Sequence, residues 1–153
     1  MRRKDKEILD PGILEDILRS NFMVRVAWAS EEGPYVLPLH YGYRSGRLYI
    51  HSAQTGRKIE LSRLNPRVCF EISDSIQVLP ADTPCGFSTR YRSLIGMGRI
   101  QVVSDVQEKR EALSILMEQI TGKTGHFFPQ DRVDKVTLLR IDIESLSGKK
   151  SKI

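Results

Sequence analysis

From Phe22 to Ala29 apolar and polar residues alternate, with Phe22, Val24, Val26 and Trp28 on one side. That period of two is the mark of a half-buried strand. The same alternation returns where Val68, Phe70 and Ile72 oppose Cys69 and Glu71, in a strand expected to run on to about Leu79, and again from Val136 to Ile143. Strands are also expected over Tyr35 to Tyr43, at Leu48-Tyr49-Ile50, and as one long run from Thr89 to Val103. Helical spacing appears in three places. Ile13, Leu14, Ile17 and Leu18 share a face behind Asp10-Pro11, with Asn21 as the stop. A short helix begins at Arg57 and ends before Asn65-Pro66. A longer one spans Asp105 to Ile120, where Asp105 and Glu108 form a capping box and Leu113, Leu116, Met117 and Ile120 make the apolar face.

Short glycine turns at Glu31-Glu32-Gly33 and Arg44-Ser45-Gly46 join successive strands, so the early chain reads as an antiparallel meander with no βαβ rhythm. Pro38 lacks a ladder donor, which puts its strand at an edge or a bulge. Gly96 and Gly98 lie two apart and face the same way. They make either a flat strip for a ring or a barrel bend that needs missing side chains. The expectation is a mainly β fold, an antiparallel, Greek-key-like split barrel with flanking helices, built as a single domain over residues 1–153 with peripheral tails at 1–8 and 145–153.

With 153 residues, 40% of them hydrophobic and 28% charged, the chain has enough material for one real core. No apolar run approaches the ~20 residues of a membrane span, and the charged start MRRKDKEILD lacks a signal-peptide core. No membrane association and a cytoplasmic location are therefore expected. The net charge of +5 suits an anionic ligand. The basic residues are scattered except at Arg2–Lys6 and Lys149–Lys152, which read as solvated tails, so nucleic acid is not an expected partner. Cys69 and Cys85 are too few and too far apart for a disulfide framework or zinc knuckle. Cys69 is expected to pack as a small apolar group and Cys85 to be open to chemistry.

The most informative stretch is YIHSAQTGRKIELSRLNPRVCFE, Tyr49 to Glu71. A strand breaks into a loop carrying Ser52, Thr55 and Gly56, and a helix then starts on Arg57 and Lys58. Hydroxyls, unpaired helix amides and two cations suit a phosphate; a solvated surface loop is the plainer reading. His40 and His51 flank this region, while His126 beside Phe127 and Phe128 reads as structural. No nucleophile elbow, helical metal pair or close carboxylate pair occurs, so the metal prediction is none and reactivity is expected from a bound cofactor.

PLHYGY, the Tyr49–Glu71 stretch and PCGFSTRYRSLIGMGRI, in that order, resemble the flavin-binding split barrels related to pyridoxamine 5′-phosphate oxidase, and within them the nitroimidazole-resistance (Nim) branch. The resemblance spans about residues 1 to 145. It implies a homodimer with FMN in the clefts between subunits. By position, the backbone of Pro38, Leu39, His40 and Tyr41 lines one edge of the flavin ring. Ile50, His51 and Ser52 approach the ring and ribityl chain, and Gly56, Arg57 and Lys58 hold the phosphate. Arg92 and Ser93 complete the site from the other subunit, and His51 is the catalytic candidate on the substrate side. The substrate-phosphate site of the better-known oxidases has no counterpart that can be located here.

Two functions follow from the resemblance. One is an FMN-dependent oxidoreductase of the nitroreductase type, reducing nitroimidazole-like or other small acceptors, with NAD(P)H bound transiently. The other is a non-catalytic storage or sensing protein holding a flavin or haem; F420 and haem are the alternative cofactors.

Overall fold

The computed structural model describes residues 3–152. Its strands are β1 (Glu7–Ile8), β2 (Met23–Trp28), β3 (Tyr35–His40), β4 (Gly42–Arg44), β5 (Arg47–Ser52), β6 (Arg67–Leu79), β7 (Ser88–Val103) and β8 (Thr137–Ser151). The helices are α1 (Pro11–Ser20), α2 (Arg57–Leu64), α3 (Val106–Thr121) and α4 (Gln130–Lys135). All strands join one antiparallel sheet in the order β3-β2-β6-β7-β8-β5-β4, with β1 added to the far end of β8. The two edges, β3 and β4, are consecutive in the chain. The sheet curls until they approach one another, and the Tyr41 amide between them donates to the Phe22 carbonyl at 3.0 Å. This is the split barrel with flanking helices. Pro38 lies on the edge strand, where its missing donor costs no ladder bond.

The barrel is filled by the residues that alternation selects: Val24, Val26 and Trp28 from β2, Leu48 and Ile50 from β5, Phe70 and Ile72 from β6, and Leu94 and Ile100 from β7. Ile17 and Leu18 of α1 and Ile59 of α2 close its ends. Tyr49, Val103 and Leu138 point outward into a second cluster beneath Ala112, Ile115 and Leu116 of α3. β5 is therefore apolar on both faces, and its run Leu48-Tyr49-Ile50 does not alternate.

The glycine question resolves in favour of packing. A side-chain carbon on Gly96 would enter the ring of Phe70, its direct cross-strand partner, and one on Gly98 would sit 2.6 Å from the Asp142 carbonyl oxygen. Both face the barrel interior, so the flat ligand strip is not there.

Other differences are local. Phe22 precedes β2 and is 51% exposed, so it does not continue the inward face of that strand. The strand expected over Tyr35–Tyr43 breaks at Tyr41, where the phenol instead donates to the Leu18 carbonyl at 2.8 Å. Asp105 caps α3 by accepting from the Glu108 amide, but the Glu108 carboxylate turns to Arg140 at 2.6 Å, so the box is one-sided. The final strand does not stop at Ile143. It runs on to Ser151 against Tyr91–Met97, and Lys149 and Lys150 are half-buried strand residues, which corrects the peripheral tail expected at 145–153. Helix α4 was not expected; its six residues are too few for a periodic signal.

Candidate functional site

The start of α2 is unusual in what it lacks. Gly56 leads in with φ 121°, a conformation that only glycine adopts without strain, and no side chain caps the helix. Its carbonyl accepts from Ile59 and Glu60, and the amides of Arg57 and Lys58 stand in the first turn, where helix geometry supplies no partner. Cations at this end oppose the helix dipole. Uncapped amides with two basic residues form an electrostatic arrangement that an anion would relieve.

Ser52 closes β5 a few residues upstream. Its side chain is buried and its Oγ has no hydrogen-bond partner among the described residues. A buried unpaired hydroxyl costs about 1–3 kcal/mol, so its retention points to a ligand. Next to it His51 is exposed, 6.5 Å ring to ring from His40, which in turn lies 5.9 Å from Phe22. Partial burial first, then His40, then the Lys58 charge, push the His51 pKa below its ordinary 6.5. The ring is therefore mostly neutral at pH 7, with one nitrogen able to donate and one able to accept.

Of the expected residues, His40, His51 and Lys58 come together in space, and Pro38 and Leu39 on β3, Ser52 on β5 and Gly56 and Arg57 at the start of α2 are their neighbours in the chain. Ile50 and Tyr41 have fully buried side chains, so they offer this site only backbone. Arg57 is already engaged. Its guanidinium pairs with Glu32 at 3.0 Å and lies over the Tyr35 ring at 4.7 Å. Lys58, half-buried and close enough to act on His51, is the less committed cation.

Arg92 and Ser93 are elsewhere. His51 is level with Leu138, and Leu138 with Val103. Arg92 is eleven residues back along β7, roughly 35 Å at about 3.3 Å per residue. There its guanidinium binds both oxygens of Asp74, at 2.8 and 2.7 Å, and Asp16 at 2.6 Å. Burial opposes the Asp74 charge, but hydrogen bonds from Arg92 and Asn21 outweigh it and hold the carboxyl below its usual range.

His126 bonds to the Lys123 carbonyl at 3.0 Å in the loop after α3, as a structural residue would. Sequence reasoning missed Phe22, which joins the histidine row, and the Glu32–Tyr35 hold on Arg57. An aromatic before a strand and an acid in a turn carry no local signal of either contact.

The donor set here is helix amides, a hydroxyl and an ammonium group beside a neutral imidazole. It fits a phosphate monoester attached to a planar, hydrogen-bonding ring. Residues 10–150 match the family described as Pyridoxamine 5′-phosphate oxidase. A candidate 5-nitroimidazole antibiotic resistance protein of Bacteroides thetaiotaomicron VPI-5482 is 30% identical, with a TM-score of 0.84 over 94% of this chain and 86% of that one. An FAD-binding protein of Mesorhizobium loti is 26% identical, with a TM-score of 0.70 over 94% and 96%. The flavocytochrome Anf3 of Azotobacter vinelandii, at 18% identity and a TM-score of 0.85 over 100% of this chain and 72% of that one, shares the fold. An uncharacterized protein of Rhizobium meliloti (strain 1021), RA0666, is 23% identical over 142 residues, covering 80% of this chain and 87% of its own. The chain belongs to the pyridoxamine 5′-phosphate oxidase family.

Proposed function

We propose that this member of the pyridoxamine 5′-phosphate oxidase family is a flavin-dependent oxidoreductase that holds the 5′-phosphate of an FMN moiety at the start of α2. The observation that carries the reading is the buried hydroxyl of Ser52, without a partner among the described residues, four residues before the uncapped start of α2. When bound, the flavin supplies hydride and electron transfer, chemistry no side chain here provides. Lys58 and the first-turn amides neutralise the phosphate, and Ser52 donates its hydroxyl. The Pro38–Tyr41 backbone borders the ring. His51, mostly neutral at pH 7, donates a hydrogen bond from its ring N–H to an incoming acceptor, while its protonated fraction delivers a proton and is recharged from solvent.

The likeness to a candidate 5-nitroimidazole resistance protein supports nitroaromatic or other small acceptors as the substrate class. NAD(P)H is the donor, bound transiently. The working unit is a homodimer. β3 is an open edge, and Ile95 (52% exposed) and Met97 (39%) face outward from β7, so a second copy has apolar surface to cover. In that dimer Arg92 and Ser93 enter the site of the other subunit, since within one chain they lie too far from His51. Among the described residues no helix is long and apolar enough to cross a membrane. A cytoplasmic location is part of the proposal.

The test is the absorption spectrum of the purified protein, followed by FMN titration of the flavin-free form. Flavin bands and tight FMN binding are expected. A Soret band or a deazaflavin spectrum would replace FMN with haem or F420. Bound flavin that no nitroaromatic reoxidises would make the protein a storage or sensing module. For His51, substitution by Gln should leave FMN affinity and Tm near wild type while turnover falls roughly 10²-fold. Loss of flavin together with activity would assign His51 a structural role.

A further inference from the structure

We infer that the arm formed by the paired ends of β6 and β7 docks on an anionic lipid surface, its apolar tip in the headgroup boundary and a collar of cations behind it. The inference is independent of the flavin reading, whose site lies at the other end of the barrel. β2 accompanies β6 only as far as Glu71, and β8 accompanies β7 only as far as Tyr91. Beyond them, Gln77 to Leu79 and Ser88 to Arg90 pair with each other alone. A two-stranded arm of this kind is marginally stable in water without a further partner. It also holds three large apolar side chains in the open: Ile76 at 68%, Val78 at 63% and Phe87 at 53% exposed. Val78 is level with Thr89, two residues on from Phe87, so all three stand near the tip.

Cations collect where the arm leaves the barrel. Lys4 and Lys6 precede β1, and Lys150 and Lys152 lie at the end of β8. Pairing of β1 with β8 joins these two stretches, and the Lys6 ammonium donates to the Ser151 hydroxyl at 3.0 Å. Arg90 ties the arm to them, its Nε donating to the Lys152 carbonyl at 3.1 Å. None of these five cations takes part in an ion pair among the described residues. Of the acids nearby, Asp5 is held by Arg3 and both Asp16 and Asp74 by Arg92, which leaves Glu7 and Asp82. Arg90 is three residues from Phe87, about 10 Å at ~3.3 Å per residue, the depth to which interfacial elements bury their apolar side. Ser75, Ile76, Gln77 and Arg90 line a cleft there, where hydroxyl, amide and guanidinium can donate to a lipid phosphate. Cations alone would suit nucleic acid as well, but Ile76 and Val78 are aliphatic and offer a base no stacking face. A second copy would bring the same net charge of +5 against the collar. A bilayer with anionic headgroups answers both the apolar tip and the cations. The expectation of no membrane association rests on apolar run length, which reports spanning segments and not surface contact.

The experiment is sedimentation of the full chain with vesicles of phosphatidylcholine alone and of phosphatidylcholine mixed with an equal part of phosphatidylglycerol. Binding to the mixed vesicles only is expected, weakening as salt is added. Phe87→Ser and Ile76→Ser, both at exposed positions, should each lower the partition coefficient by about tenfold or more. Lys4→Gln and Lys152→Gln should each lower it by about fivefold, with Tm and FMN titration as in the wild type. No sedimentation with the mixed vesicles, or binding that survives all four substitutions, overturns the inference. So does preferential binding of a single-stranded oligonucleotide, which would assign the collar to nucleic acid. A fall in mass by light scattering on Phe87→Ser or Ile76→Ser also overturns it, because a second copy would then cover the arm. Each of these outcomes leaves the flavin reading untouched.

Discussion

The two ends of the barrel treat polar groups in opposite ways. At the Arg92 end the half-buried charges are paired: Arg92 is shared by Asp74 and Asp16, and Asn21 bonds both Asp74 and the Ile17 carbonyl. At the Ser52 end a buried hydroxyl has no partner, a helix starts uncapped on two cations, and an imidazole is held in its neutral form. One region has spent its polar groups on joining α1 to the sheet. The other keeps them unsatisfied, at a cost to stability that only a ligand offsets. That asymmetry, more than any single residue, makes the Ser52 end the candidate site.

The largest test is Arg92→Ala. It leaves Asp74, 13% exposed, without its main partner, and should cost about 3 kcal/mol, the low end for breaking a buried pair. For a chain of this size that is a fall in Tm of about 6–12 °C. An unchanged Tm would break the contrast, because the Arg92–Asp74 pair would then add nothing to the fold of its own chain.

Next is Lys58→Ala. Loss of one charge-assisted contact should weaken FMN by about ten- to a hundredfold, or roughly 1.5–3 kcal/mol. Riboflavin, without the phosphate, should be nearly indifferent, and the FMN deficit should shrink as salt screens the contact. Equal losses for both ligands in parallel titrations would mean that Lys58 acts through folding.

Ser52→Ala sharpens the contrast by sign. Removing an unpaired buried hydroxyl should stabilise the flavin-free protein by about 1 kcal/mol and at the same time weaken FMN. A urea melt showing destabilisation would indicate that Ser52 has a partner in solution.

The smallest effect is in pH. The His51 pKa is lowered in the folded chain, so below about 6.5 the unfolded chain binds more protons and stability falls as the solution is acidified. His51→Gln should flatten that decline below about pH 6.5. Identical urea midpoints for both proteins across this window would remove His51 from the titration. The Asp74 carboxyl, also lowered, contributes a further loss only at more acid pH, below its ordinary 3.8.

What the chain determines by itself is whatever depends on neighbours within a few residues. Alternation at Val24-Val26-Trp28 and Phe70-Ile72 selects strands and their inward faces. Asp10-Pro11 and Asp105 start helices, and the ordered blocks carry the family resemblance. These are short-range preferences, legible in one dimension. How side chains are shared out is a different matter, because their partners lie far away in sequence. Asp16 reaches Arg92 across 76 residues, and Phe70 fills the space that Gly96 leaves from 26 residues away. Glu32 takes up Arg57 while Ser52 is left with nothing. On paper Arg57, Lys58 and Arg92 are all cations of the expected cofactor site. Only the folded sheet, which brings acids to two of them and none of the ion pairs to Lys58 among the described residues, separates the cations already held by an acid from the one left uncommitted.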